Sequence, residues 1–303
     1  MADTVYHIPA LLNECIEALD IHENGIYVDA TFGGGGHSRA IMQQLGPQGH
    51  LYGFDQDIDA LDNALPDERF TFVRSNFRFL SNFMRFYGVK SVDGIIADLG
   101  VSFHHFDEAS RGFSFRADAP LDMRMNRSAA LTAAQVINTY SDHDLARVLR
   151  LWGDLRKPGP IVGAILRARA KAPIESTGDL LDSLKGAINP RREKAELAQV
   201  FQALRIEVNS EMQALEQFLL STLKILKPGG RLVILTYHSL EDRMVKNFMR
   251  SGNIEGNIEK DFFGHADTPW RLITHQPVSP SPEEIQRNPR SRSAKLRVAE
   301  MLP

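Results

Sequence analysis

The sequence predicts an α/β protein whose sheet domain is interrupted by an inserted all-helical domain. Two observations lead to this fold class. Short apolar runs alternate with helix-like segments over residues 26–100 and resume at 209–237, whereas the residues between them show no strong strand pattern. Alternation of this kind is typical of parallel strands joined by crossover helices.

Four strands are predicted in the first part of the sheet domain, in the segments GIYVDA, HLYGFD, RFTFVRS and VDGIIADLG. Helix-like segments separate them, beginning with SRAIMQQL. Downstream, the amphipathic segment NSEMQALEQFLLSTLKILK and the turn Pro228-Gly229-Gly230 precede a further strand, RLVILTY. The segment AKLRVAE is also strand-like. We therefore expect the sheet to resume after the insertion.

The insertion consists of helix-like stretches, namely AAQVINTY, DHDLARVLRLW, PIVGAILRARAKA, TGDLLDSLKGAI and REKAELAQVFQAL. Turn residues such as Pro158 and Pro190 separate them. We predict that the sheet domain consists of residues 1–103 and 201–303, and that the helical domain spans 104–200.

Composition limits the class of protein. The 303 residues are 43% hydrophobic and 24% charged, and no apolar run approaches the roughly 18 residues of a membrane span. The N-terminus lacks a secretory pattern, and the single Cys15 excludes an intramolecular disulfide, so we expect a cytoplasmic protein with no membrane association. The net charge of −3 argues against bulk attraction to nucleic acid, but Lys and Arg cluster over 147–171, 185–194 and 287–297.

Four consecutive glycines follow the first predicted strand, in DATFGGGGHS. A phosphate-binding loop needs a Lys after its last glycine, but Gly36 is followed by His37, which argues against an ATPase or GTPase. The dinucleotide pattern Gly-x-Gly-x-x-Gly also fails, because its last position is Ser38 or Arg39. A tight turn without a ligand is the alternative interpretation.

Two acids follow predicted strands at the edge where open α/β sheets bind ligands. Asp55 ends the second strand, twenty residues after Gly35, which is the spacing at which an acid reaches a nucleotide ribose. Capping of a helix is the alternative role for Asp55. Asp98 ends the fourth strand.

With these features the sequence resembles the class I S-adenosylmethionine-dependent methyltransferases. Their first motif is an acid followed at alternate positions by small residues, matched here by Asp29, Thr31, Gly33 and Gly35 with Thr31 in place of a glycine. They also have an acid after strand two and a Pro-Gly-Gly turn before strand five. S-adenosylmethionine has no phosphate, so its loop does not need a Lys.

Longer motifs narrow the resemblance to the RsmH, or MraW, family. These motifs are HIPALLNECIEAL, YVDATFGGGGHS, GFDQD, DGIIADLGVS, RGFSF, PLDMRMN, FQALRIEVNSE, GGRLVILTYHSLEDRMVK and NPRSRSAKLR. The resemblance implies a Rossmann-like class I methyltransferase domain with an inserted helical domain. It also implies methylation of the N4 amine of a decoding-centre (P-site) cytosine in the 16S rRNA of the small ribosomal subunit.

The same resemblance implies a set of site residues. S-adenosylmethionine would be bound by Gly35, Gly36, His37, Asp55, Phe77, Asp98 and His105. Asp98 is also the candidate catalytic residue, because a carboxylate can accept a hydrogen bond from the acceptor amine and orient its lone pair. Candidate substrate contacts are Phe103, Arg111, Asp122, Arg124, Tyr237 and His238. The histidines lack zinc-type spacing, so no metal is expected.

Some positions depart from the family pattern, and alternatives stay open. His105 stands where the family often has Gln, Phe103 where a second Ser is common, and Tyr237 where Phe is usual. Arg111 and Asp122 could instead form a structural ion pair. Alternative functions are methylation of another nucleic-acid or small-molecule amine, a nicotinamide-dependent oxidoreductase, and a ribosome-binding module without catalysis.

Overall fold

The structure is a computed structural model, and it describes residues 9–99, 111–260 and 266–303. The chain forms two compact units, and the divisions between them fall after residues 100 and 211. One unit contains the sheet and the other is helical. No helix in the described part of the chain combines the length and the apolar character needed to cross a bilayer.

Among the residues described, the sheet unit contains one seven-stranded sheet and a separate two-stranded pair. The strands are β1 (Ile26–Asp29), β2 (His50–Asp55), β3 (Phe70–Arg74), β4 (Val92–Asp98), β5 (Leu226–Thr236), β8 (Trp270–Leu272) and β9 (Lys295–Met301), and a separate pair consists of β6 (Glu259–Lys260) and β7 (Ala266–Asp267). The large sheet has the order β3-β2-β1-β4-β5-β9-β8. Strands β1 to β5 are mutually parallel and β9 runs antiparallel to β5 and β8.

One group of helices belongs to the sheet unit, and another group forms the helical unit. Those with most or all of their residues in the sheet unit are α1 (Leu12–Leu19), α2 (Gly36–Met42), α3 (Leu80–Phe86), α9 (Glu211–Ile225), α10 (Ser239–Ser251) and α11 (Pro282–Arg287), with 3-10 helices at Ile58–Asn63, Phe77–Phe79 and Pro289–Ser293. The helical unit has α4 (Ala133–Thr139), α5 (Asp142–Leu151), α6 (Gly159–Arg169), α7 (Thr177–Leu184) and α8 (Glu193–Asn209), with a 3-10 helix at Pro190–Arg192.

Apolar strands fill the centre of the sheet. Tyr27 of β1, Ile96 of β4 and Val233 of β5 have no exposed surface. Strands covered on both faces need continuous apolar runs, and this explains the apolar stretches at 26–28, 94–97 and 232–235.

The predicted Pro228-Gly229-Gly230 turn lies within β5. The pairing of β4 with β5 moves from Val92 opposite Leu226 to Gly94 opposite Arg231, so three extra residues bulge out of β5. Gly229 has φ 78°, which a side chain disfavours. The turn therefore interrupts the strand without ending it.

The predicted boundary at residue 200 needs correction. It falls inside α8, whose Leu197, Phe201 and Leu204 pack in one core of the helical unit. Because one continuous helix supplies this core on both sides of residue 200, the unit extends to residue 211. The other predicted boundary, at 103, lies outside the described residues.

Candidate functional site

Predicted site residues collect at one edge of the sheet. Asp29, Asp55 and Asp98 are the last residues of the parallel strands β1, β2 and β4, and Tyr237 follows β5. The strand order reverses direction between β1 and β4, which is a topological switch point. Open α/β sheets bind ligands outside the carboxyl ends of the strands at this point.

Hydrogen bonds connect the glycine loop, residues 30–35, to the end of β2. The N–H of Phe32 donates to the carbonyl of Phe54 at 2.8 Å, and the N–H of Gly33 donates to the carboxylate of Asp55 at 2.8 Å. Gly33 and Gly35 have φ of 51° and 72°, a left-handed conformation that favours glycine. Two of the four glycines are therefore required by the backbone of the turn itself.

Gly36 and Gly34 differ in their surroundings. A Cβ atom on Gly36 would lie 2.2 Å from Cγ of Pro9, so this glycine allows close packing against the chain itself. Contact of Gly35 and Gly36 with S-adenosylmethionine stays a prediction. Gly34 has no described heavy atom within 4 Å of the position its Cβ would take, so the loop is open there.

Asp29 is the buried acid that organises the loop. Its side chain is 1% exposed and accepts hydrogen bonds from the N–H of Thr31 at 3.1 Å and from the hydroxyl of Ser38 at 2.7 Å. Burial is the largest influence and raises the pKa of Asp29, whereas the neighbouring His37 and these hydrogen bonds act in the opposite direction. Asp29 therefore stabilises the turn through these two hydrogen bonds.

His37 is buried and neutral. It is 5% exposed, one ring nitrogen donates to the carbonyl of Ala10, and Nε2 has no hydrogen-bond partner among the described residues. Burial lowers the pKa of His37, although the charge of Asp29 and the bond to Ala10 oppose this shift. In this tautomer Nε2 is a hydrogen-bond acceptor, so the ring has capacity for one donor.

Asp55 bonds to main-chain groups through both carboxylate oxygens. Oδ2 accepts from the N–H of Gly33 and Oδ1 from the N–H of Asp57, each at 2.8 Å. The residue that caps the following 3-10 helix is Asp57, which accepts from the N–H of Asp59, so the capping alternative applies two residues later than expected. Contact of Asp55 with the ribose hydroxyls of the cofactor stays a prediction.

Phe77 lies at the same edge, three residues after the end of β3. Its ring is half-buried and packs edge-on against Phe218 of α9, with ring centroids 5.2 Å apart. Asn76 caps the short helix that holds it, accepting from the N–H of Arg78 at 3.0 Å. Contact of Phe77 with an adenine stays a prediction.

Asp98 is held from two sides. Its main-chain N–H donates to the hydroxyl of Thr31 at 2.6 Å, and its carboxylate accepts a hydrogen bond from the hydroxyl of Tyr237. Burial, followed by the charge of Asp98 and this bond, raises the pKa of Tyr237 well above its ordinary value. Tyr237 therefore stays protonated and acts as a donor to Asp98.

His238 caps helix α10. Its ring accepts from the N–H of Glu241 at 3.4 Å, while the carboxylate of Glu241 returns to the N–H groups of Tyr237 and His238. This reciprocal capping box fixes the turn after β5. A contact of His238 with substrate stays a prediction.

The remaining substrate candidates in the helical unit bond to their own loop. Arg111 is 5% exposed and donates to the carbonyls of Arg124 and Met125 at 2.8 and 2.9 Å. Asp122 forms an ion pair with Arg124, with a nitrogen–oxygen distance of 2.7 Å. Contacts of Arg111, Asp122 and Arg124 with RNA stay predictions, as do those of Phe103 and His105, which lie outside the described residues.

A family model described as the MraW methylase family matches residues 4–302. The chain belongs to this family. It is 57% identical to the Ribosomal RNA small subunit methyltransferase H of Phocaeicola vulgatus, over 99% of this chain and 98% of that relative. The protein of the same name from Parabacteroides distasonis is 58% identical, over 98% of each chain. Among solved structures, an rRNA methylase from Streptococcus thermophilus is similar at 15% identity and a TM-score of 0.37, covering 96% of this chain and 94% of that one.

Membership of the MraW methylase family confirms the predicted family, the class I methyltransferase fold and S-adenosylmethionine as cofactor. It also decides against the nicotinamide-dependent oxidoreductase. The described residues fit this cofactor: the free acceptor on His37 suits the ammonium group of a methionine moiety, and the carboxylate of Asp55 lies at the carboxyl edge of the sheet beside the glycine loop.

The sequence analysis missed the role of Thr31. It was counted only as a substitution in the class I glycine motif, yet its hydroxyl binds the amide of Asp98. Tyr237 was predicted as a substrate contact, which stays a prediction, and the structure adds that its hydroxyl binds the carboxylate of Asp98. The Thr in place of a glycine was the available signal for the first of these contacts.

The buried His37 generates a pH prediction. Its folded pKa lies below the ordinary value of about 6.5, so the unfolded chain binds this proton first, and stability falls as the pH drops below about 6.5. We expect His37→Gln to reduce the loss of melting temperature between pH 7.5 and pH 5.5, measured by differential scanning fluorimetry. His143→Gln is the matched control, because the His143 side chain is 87% exposed. Equal pH dependence in the wild type and His37→Gln would contradict the neutral, buried assignment.

Proposed function

We propose that this chain transfers a methyl group from S-adenosylmethionine to the N4 amine of a decoding-centre (P-site) cytosine in 16S rRNA of the small ribosomal subunit. The match of the MraW methylase family to residues 4–302 carries this proposal. The name shared by relatives at 57% and 58% identity supports an RNA of the small subunit as substrate. The arrangement of Asp98 at the switch point supports an amine as the acceptor.

Cytosine N4 is a poor nucleophile because its lone pair is delocalised into the ring. When bound, S-adenosylmethionine supplies an electrophilic methyl carbon activated by the sulfonium charge. The protein therefore has to position the amine and stabilise the positive charge that develops on it. The carboxylate of Asp98 would accept a hydrogen bond from an amine proton, which directs the lone pair and offsets this charge.

Thr31 and Tyr237 would keep Asp98 in position during this step. Thr31 fixes the main chain of Asp98 and Tyr237 fixes its carboxylate, so the acid has few orientations available. A positioned acid costs no reorganisation when the charge develops. Asp55 and His37 would hold the ribose and the methionine moiety, and the glycine loop between β1 and α2 is already ordered by Asp29.

Labelled methyl transfer tests the function directly. Small subunits, assembled ribosomes and naked 16S rRNA are offered as substrates, and the modified nucleotide is mapped by mass spectrometry. We expect label on the N4 amine of one cytosine, and loss of at least 100-fold in rate for Asp98→Ala because the developing charge loses its partner. Label on a ring carbon or a ribose would refute the N4 assignment, and rapid turnover by Asp98→Ala would remove Asp98 from the mechanism.

Tyr237→Phe tests the positioning of Asp98. Removing a hydrogen bond to a charged group costs about 1.5–3 kcal/mol, so we expect kcat to fall about tenfold or more while KM for S-adenosylmethionine changes little. Tyr140→Phe is the matched control, because that hydroxyl binds Glu207 at 3.1 Å in the helical unit. An unchanged kcat in Tyr237→Phe would show that the hydroxyl does not assist Asp98.

Asp55→Ala tests the ribose contact. We expect the Kd for S-adenosylmethionine, measured by calorimetry, to rise about tenfold to 100-fold, because hydrogen bonds to a charged group are lost. Asp62→Ala removes an exposed acid from the adjacent 3-10 helix and should leave the Kd unchanged. Equal affinity in Asp55→Ala and the wild type would exclude the ribose role.

A further inference from the structure

The segment that joins β3 to β4 carries an exposed surface of aromatic and basic side chains. We call it the aromatic–basic strip, and it consists of Arg74, Arg78, Phe79, Arg85, Phe86 and Tyr87. Phe86 is 78% exposed, Phe79 48% and Tyr87 39%, which is unusual for aromatic side chains. No acidic residue occurs between Arg69 and Asp93.

The strip runs from the end of β3 through a 3-10 helix into α3. Arg74 ends β3, Arg78 and Phe79 end the 3-10 helix Phe77–Phe79, and Arg85 and Phe86 lie in the last turn of α3. An arginine therefore directly precedes an exposed phenylalanine at each end of α3.

The exposed rings rest on an ordered base. Phe86 packs against Tyr87 with centroids 5.2 Å apart, and Tyr87 packs against Tyr52 of β2 at 5.3 Å. The inner face of α3 is anchored by Leu80 and Met84, which have no exposed surface. The rings are therefore presented by a rigid element, which lowers the entropic cost of binding.

Acids of the sheet unit do not neutralise the strip. Arg74 and Arg85 form no ion pair with any residue that the structure describes. The acid-rich 3-10 helix Ile58–Asn63 contributes Ala60 to the core on the face of Leu51, whereas Tyr52, the next residue of β2, points to the face that carries Tyr87. The acids and the strip are therefore on opposite faces of the sheet.

The strip begins at the edge of the sheet that carries the candidate site. Phe77–Phe79 follows the carboxyl end of β3, and Asp55 lies at the same end of the neighbouring strand β2. From there α3 runs away from the site. A polymer whose acceptor base reaches the site can therefore extend along the strip.

We propose that the aromatic–basic strip is a docking surface for unpaired nucleotides of the RNA that flank the acceptor base. Aromatic faces stack on bases without sequence preference, and nearby cations neutralise phosphates. A second copy of the chain fits less well, because an isologous contact would bring the arginines of the two strips together without acids. The inference rests on the proposed function for the presence of RNA at this edge.

Two single variants separate the role of the aromatic side chains from that of the basic side chains. Phe86→Ala should raise the Kd for a fluorescent, 12-nucleotide single-stranded RNA about tenfold without changing the salt dependence, because only stacking is lost. Arg85→Ala should weaken binding and reduce the slope of log K against log salt by about 0.7, the value for one released counterion on a single strand. Both side chains are exposed, and an unchanged melting-temperature increase with S-adenosylmethionine shows that the cofactor site is intact.

The same variants are assayed with unmethylated small subunits as substrate. We expect KM for the subunits to rise about tenfold while kcat stays unchanged, because the strip binds flanking nucleotides and does not touch the reacting atoms. The combined Leu220→Ala and Arg250→Ala variant is the matched control, since it removes an exposed apolar side chain and an exposed arginine elsewhere in the sheet unit.

Unchanged RNA affinity and unchanged KM in both strip variants, with an active wild type, would overturn the docking proposal alone. A wild type that neither methylates nor binds subunits or RNA would instead overturn the proposed function and the docking surface together. A wild-type dimer in analytical ultracentrifugation that becomes a monomer in Phe86→Ala would assign the strip to a contact between copies and also overturn RNA docking.

Discussion

The pairing of β1 with β4 is the constraint on which the candidate site depends. Val28 lies opposite Ile95 and Asp29 opposite Ile96, so the two strands lie side by side although each pair is 67 positions apart in the chain. The register brings the hydroxyl of Thr31, two residues beyond β1, to the amide of Asp98. A different strand order would separate the glycine loop from Asp98, the acid proposed to bind the acceptor amine.

Three carboxylates end neighbouring strands, and the structure gives each a different set of partners. Asp29 is buried and bonded within the loop, Asp55 binds two main-chain N–H groups, and Asp98 is bound by a tyrosine hydroxyl. Hydrogen bonds from neutral donors stabilise a charged carboxylate without cancelling its charge. The edge therefore remains suited to binding hydroxyl, ammonium and amine groups.

In the helical unit, polar side chains order the loop that carries Arg111 and Arg124. Asn209 at the end of α8 accepts from the N–H of Met125 and donates to the carbonyls of Met123 and Arg205. Met123 has φ 60°, a left-handed conformation that needs support from its surroundings. The hydrogen bonds of Arg111 to the carbonyls of Arg124 and Met125 add to this order.

The sequence by itself determined six of the nine strands that the structure describes, β1 to β5 and β9, together with the inserted helices and the family, because apolar periodicity and motif order are local properties of the chain. It also placed Asp55 and Asp98 at the carboxyl edge of the sheet, since each of them ends a buried strand. Only the tertiary structure decided which groups these acids contact. Tyr237 binds Asp98, Gly36 leaves room for Pro9, and Phe86 packs on Tyr87, which packs on Tyr52. Each arrangement follows from which elements pack together in the fold. Such contacts are set by strand register and helix packing, and these depend on residues far apart in the sequence.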